Sequence, residues 1–171
     1  MKRHPALALV ELDDLPAGLH AVDAMLKRAP IACLRSGSVS RGRFLVLVGG
    51  TTAAVEEALL AGLAAGAESV LDRLLLADVH PRLHDAIVGA RRPAAAGAIA
   101  LLETRTATAI VRAAEAALKA TEVELLELRL GTDGLAGKGT AILQGSSPGS
   151  RPRSRWRSRG SRRPAPRRAT G

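Results

Sequence analysis

Apolar residues along this chain fall into short runs and helical stripes that alternate, each closed by a recognisable stop. Ala6–Leu12 is apolar except for Glu11 and is bounded by Asp13-Asp14, which predicts a strand. Asp14 is placed to cap a helix opening near Pro16, because a proline in the first turn gives up no hydrogen bond. Leu19, Val22, Leu26 and Ala29 recur at threes and fours and predict the buried face of that helix. Asp23 and Lys27 stand four apart on the other side. Ile31–Leu34 predicts a second strand, Arg35–Gly42 a Gly/Ser loop, and Arg43–Val48 a third strand ended by Gly49-Gly50. Thr51 or Thr52 then starts a helix through Ala65, with Val55, Leu59, Leu60 and Leu63 on one side. Ser69–Leu76 predicts a fourth strand and Pro81–Val88 a short last helix. The order β-α-β-β-α-β predicts an α+β fold of the ferredoxin-like kind, with helices covering one face of an antiparallel sheet.

The pattern then begins again. Residues 98–127 repeat 6–35 at a spacing of 92, ALALVEL answered by AIALLET and AVDAMLKRA by AAEAALKAT. Ten of these 30 positions are identical, among them Glu11/Glu103 and Lys27/Lys119. After a three-residue insertion, GRFLVLVGG (42–50) is matched by GKGTAILQG (137–145) at a spacing of 95. A period of this length is that of a small domain, not of a solenoid unit. The chain therefore divides into a first domain over 5–90, a linker over 91–96 and a second domain over 97–145. The second holds only the N-terminal half of the pattern. It is expected to be unstable on that account, with one sheet face and one strand edge exposed.

Charge separates the remainder. Residues 146–171 hold nine Arg and no acidic residue, whereas residues 1–145 carry 16 basic and 16 acidic side chains and are neutral. The pI near 11.3 thus belongs to the tail. Its Arg, Ser, Pro and Gly content predicts disorder, and out-of-frame translation in place of a missing half domain is the expected origin. Read otherwise, the tail is a nucleic-acid arm with one stacking ring, Trp156, on a ferredoxin-like binding module. Cys33 is the only cysteine, which excludes an intrachain disulfide framework. The apolar run after Met1 is too short for a signal sequence, and no run approaches the length of a membrane span. His20, His80 and His84 lack a third ligand pattern for a metal, and no nucleophile–base constellation recurs in both copies, so neither a metal site nor catalysis is expected.

A strand ending in Glu, then AVDAMLKRA, a Gly/Ser hairpin loop, a strand ending in Gly-Gly, an Ala-rich helix and a strand running into DVHPRL together resemble the bacterial microcompartment shell domain. Two such domains in unpermuted order resemble the tandem class of that family. The resemblance implies a structural shell protein with no cofactor. It implies homotrimers that imitate hexamers, tile with other shell hexamers and pentamers in the bacterial cytoplasm, and pass small metabolites through a central pore. It also assigns residues. Lys27 and Lys119 match the lysine at the tile edge, and Arg82 lies near an edge arginine. The pore would be lined by Ser36, Gly37, Ser38, Val39, Ser40, Arg41 and Gly42 from the first copy, and by Gly131, Thr132, Asp133, Gly134, Leu135, Ala136 and Gly137 from the second. Arg41, Arg43 and Lys138 near that lining would favour anionic metabolites. Some relatives hold an iron–sulfur cluster at the pore through cysteine, but neither loop here has one.

Overall fold

A computed structural model of the chain describes residues 3–131 and 134–145. The first copy consists of β1 (Ala6–Leu12), α1 (Leu15–Arg28), β2 (Ala32–Val39), β3 (Arg43–Gly50), α2 (Thr52–Gly66), β4 (Val70–Leu76) and α3 (Pro81–Ile87). The second consists of β5 (Ala98–Thr104), α4 (Ala107–Ala120), β6 (Val123–Leu130) and β7 (Gly139–Gly145). The first sheet has the order β2-β3-β1-β4 with every pairing antiparallel, which is the ferredoxin-like order. The second is β5-β7-β6, the same arrangement without a fourth strand among the described residues, so β5 lies at an edge. The loop expected over Arg35–Gly42 is shorter in the structure. Arg35–Val39 continue β2 past a bulge at Cys33/Arg35 and pair with Arg43–Leu47, leaving only Ser40–Gly42 as the turn. The same bulge recurs at Leu125/Glu127.

Local chemistry explains the helices. Asp14 Oδ1 accepts from Ala17 N at 2.7 Å and opens α1; Thr106, at the equivalent position, accepts from Ala109 N at 3.0 Å and opens α4. Thr51 caps α2 in the same way. The two copies pack helix on strand by exchanging sizes. A Cβ on Gly18 would lie 2.2 Å from Phe44, and one on Gly139 would lie 2.3 Å from Ile110. Gly18 answers to Ile110 and Phe44 to Gly139, so helix and strand trade a small residue for a large one at a single contact.

There are two cores. One lies between the first sheet and α1 and α2, built from Ala6, Ala8, Val10, Val46, Val48, Met25 and Val55. The other face of that sheet is also covered, contrary to a fold with helices on one side only. Leu7, Leu9, Leu45, Leu47 and Leu74 join Leu83 of α3 and Ile110, Val111, Leu125 and Leu143 of the second copy in a single cluster. Hence α4 packs on its own sheet and on the back of the first sheet at once. The second copy is no isolated half domain. Residues of the linker are tied down as well, Arg92 N donating to Leu126 O at 2.9 Å and Ala95 N to Gln144 Oε1 at 2.9 Å. The helix faces read from sequence are rotated: Leu19, Leu26 and Leu60 are exposed, while Gly18, Ala21, Met25, Ala58 and Gly62 turn inward. Close helix contact needs the small residues, as Gly62 shows by lying directly under Met25.

Candidate functional site

Glu11 lies in the middle of the joint between the copies and is wholly buried. Its carboxylate accepts from Arg43 Nη1 at 3.1 Å and from Thr108 N at 3.3 Å, and the Ala107 amide also points at it. The first turn of α4 is thereby capped by a side chain from the other copy, where a negative charge also meets the positive end of the helix dipole. Burial pushes the Glu11 carboxyl above its ordinary pKa, and the Thr108 amide, Arg43 and the Ala107 amide pull it part of the way back. Further along α4, Arg112 Nη2 donates to Asp72 Oδ1 at 3.1 Å and Arg73 O at 2.8 Å. His80 N donates to Glu115 at 3.1 Å. The sequence reading missed Glu11, although the signal was there: one acid inside an apolar strand, repeated as Glu103, with a base at Arg43 repeated as Lys138.

The proposed edge residues occupy different settings. Lys27 is exposed on α1 and pairs with Asp23 at 2.7 Å. Lys119 pairs with Glu115 at 2.8 Å, which raises its pKa, and donates to Asp78 O across the joint. Arg82 is 7% exposed. Its Nε donates to Leu125 O at 2.8 Å and its Nη2 to Leu126 O at 3.3 Å and Ala90 O at 3.4 Å. Those carbonyls and Glu124, at 3.8 Å, engage the guanidinium inside the chain, so Arg82 clamps β6.

The proposed pore residues come together. The turn Ser40–Gly42 meets the β6–β7 connection, Ser40 N donating to Gly131 O at 2.8 Å. A Cβ on Gly137 would lie 3.3 Å from Ser40 O and 3.0 Å from Arg43 Nη1, so this approach tolerates little beyond glycine. Arg41, Gly42, Gly131, Gly134, Ala136 and Gly137 have positive φ, which suits glycine at four of the six. Ser36, Gly37, Ser38 and Val39 belong to β2, Leu135 lies in the β6–β7 connection, and Thr132 and Asp133 fall outside the described residues. Of the three bases expected near the lining, Arg43 is held by Glu11 and Lys138 by Glu103 at 2.6 Å, and Arg41 stands exposed on the turn.

The model of the BMC domain matches this chain twice, over residues 6–82 and 98–149. This chain belongs to the BMC-domain family. It is 31% identical to the bacterial microcompartment shell protein PduT of Citrobacter freundii over 82% of this chain and 76% of that protein. A 64-residue match is 36% identical to the carboxysome shell protein CcmK3 of Halothece sp. (strain PCC 7418), covering 37% of this chain and 63% of that protein. The crystal structure of a microcompartment protein from Desulfitobacterium hafniense DCB superposes with a TM-score of 0.71 at 36% identity, over 82% of this chain and 77% of that one. The role of this BMC-domain chain is accordingly that of a shell component, located at a microcompartment shell. Among its described residues no helix is long and apolar enough to cross a membrane.

Proposed function

We propose that this chain is a tandem BMC shell tile: three copies form a ring that imitates a hexamer, joins other shell hexamers and pentamers in the cytoplasm, and surrounds a pore for small metabolites. The observation that carries this reading is the meeting of the two turns. One copy's Ser40–Gly42 and the other's Gly131–Gly137 are hydrogen-bonded to each other at one end of the joined copies. Repeating that placement about an axis brings six turns together. Its work is structural and not catalytic: among the described residues the chemistry at the axis is a rim of amides and hydroxyls with Arg41 as an exposed charge. Lys27 is the edge residue, since its long stem and exposed ammonium can lie along a seam and reach carbonyls across it. Lys119, bound to Asp78 O, does this within one chain. In this reading the domains run over 5–90 and 97–145, with the linker between them serving as a fastening strap.

The test is electron microscopy of the full chain with a single-domain shell protein. Wild type is expected to give ordered sheets and Lys27→Ala to abolish them. Sheets unchanged by Lys27→Ala would remove the edge assignment. For the pore, Arg41→Glu in reconstituted shells is expected to slow anion entry and leave neutral solutes alone.

A further inference from the structure

The segment before β1 is strapped onto α3 at three points. Arg3 holds Asp85 through two hydrogen bonds, from Nε at 3.1 Å and from Nη2 at 2.7 Å. Pro5 O accepts from Val79 N at 3.0 Å, just ahead of α3. Between these contacts, His4 N donates to His84 Nε2 at 3.2 Å. His84 is 2% exposed, and its other ring nitrogen, Nδ1, is buried without a hydrogen-bond partner among the described residues. An imidazole nitrogen that accepts from an amide carries no proton, so the ring is neutral with its hydrogen on Nδ1. A proton on Nε2 would set N–H against N–H and leave a cation in a buried place. The strap has no room to slide away from this contact. The His4 ring, 6.1 Å from that of His84, lies over Gly49 of β3, where a Cβ would come within 2.8 Å of it.

We propose that His84 is an acid-sensitive latch: a proton taken up at Nε2 releases residues 3–5 from α3 and loosens the hold of Arg82 on the second copy. The coupling follows from the size of α3. It has seven residues, and Arg82 and His84 stand two positions apart in it. One side of this short helix fastens the strap, and the other, through Arg82, fastens the carbonyls of Leu125 and Leu126. The charges around His84 are His4 and Arg3 on the strap and Asp85 on α3. β6 and α4 also pack on α3, but their Glu124 and Glu115 engage Arg82 and the His80 amide. Burial, and after it His4, holds the His84 imidazole below its ordinary pKa; Asp85 opposes them, and Arg3 and the α-amino group add to them. A base with a lowered folded pKa contributes its full stabilisation above the ordinary value, about 6.5, and loses it as pH falls toward the lowered one. Asp85, held below the ordinary carboxylate value chiefly by its hydrogen bond from Arg3, keeps its charge through that window. The latch therefore responds through one group, and it does not depend on the tile reading.

Nitrogen-15 spectra of the full chain with labelled histidine, joined to amide exchange between about pH 8 and pH 5, test this. The neutral His84 ring is expected to carry its proton on Nδ1. After correction for the intrinsic pH dependence of exchange, opening at His4 and Val79 should rise by up to about tenfold per pH unit below the ordinary imidazole value. Arg92, whose amide shares the Leu126 carbonyl with Arg82, should open in step with them. His84→Gln offers an acceptor in the place of Nε2 and cannot titrate, so its exchange at His4 should be flat over the same range. Arg3→Ala should raise opening by one factor at every pH and leave the slope as it is. A neutral ring protonated at Nε2, or the same acid response in His84→Gln, overturns the latch. Should His84→Gln fail to fold, the wild-type tautomer and the His4 exchange decide alone. If His4 and Val79 open and Arg92 does not, the link to the second copy falls.

Discussion

β1 and β5 carry nearly the same sequence, ALALVEL and AIALLET, yet every residue of β1 is buried and most of β5 is exposed. Each is apolar on both faces, so each asks for cover twice. β1 receives α1 and α2 on one side and α4 with α3 on the other, together with β3 and β4 as neighbours. β5 has β7 on one edge, while its other edge is unpaired among the described residues. The difference teaches that a strand apolar on both faces needs two covers, and that in the first copy the second cover comes from the second copy.

The largest test of that contrast compares the two glutamates. Glu11→Ala strips the half-buried Arg43 and the first amides of α4 of an acceptor and is expected to cost about 1–3 kcal/mol. Glu103→Ala, at a half-exposed pair, should stay within about 0.5 kcal/mol. Chemical denaturation of the full chain measures both, and equal effects would mean the joint is not built around Glu11. Next comes the size exchange. Gly18→Ile places a branched side chain into Phe44 and should cost about 1–3 kcal/mol or more. Adding Phe44→Gly recreates the second copy's arrangement and should recover part of the loss, whereas additive losses would contradict the equivalence.

The two lysines should separate more gently. Lys119→Ala loses a bond to Asp78 O and the Glu115 pair, an expected cost of about 1 kcal/mol in the same denaturation series. Lys27→Ala, on an exposed pair, should leave stability within about 0.5 kcal/mol and appear only in assembly. The smallest contrast is acid sensitivity at the caps. Asp14 has its pKa lowered by the Ser69 hydroxyl, then by the Ala17 amide. A lowered folded pKa means that its stabilisation is present above the ordinary carboxylate value and is lost as pH falls through the lowered one. Thr106 caps α4 with a hydroxyl that does not titrate. Amide exchange at Ala17 should therefore quicken below that range relative to Ala109, and parallel behaviour of the two amides would refute the cap assignment.

Most of the fold was legible because the elements end on local chemistry. Asp14, Thr51 and the Gly49-Gly50 pair act within a few residues of where they sit, and β1, α2 and β4 fall within one residue of the expected bounds. The strand continuing through Arg35–Val39 was not legible, since its Gly and Ser residues are held by pairing with β3, a long-range effect. The helix stripes were legible only in part, since Val22, Ala29, Val55 and Leu59 are buried and Leu19, Leu26 and Leu60 are not. Leu19 and Leu26 have helical spacing, but which flank faces inward depends on Gly18 and Gly62 allowing close approach. The clamp made by Arg82 was not legible because the carbonyls that hold it, Leu125 O and Leu126 O, are more than forty positions away. The expected disorder of residues 146–171 lies outside the described residues.

By itself the sequence determined the elements, their order, the duplication and the family, because hydrophobic period, caps and internal identity are properties of neighbours along the chain. Only the tertiary structure decided that α4 serves two sheets, that Glu11 caps a helix from the other copy, and that the turns at Ser40 and Gly131 touch. Each of these depends on which surfaces meet in space. Residue type fixes what a surface can bury or bond, and the packing of the second copy against the first chooses which partner it finds.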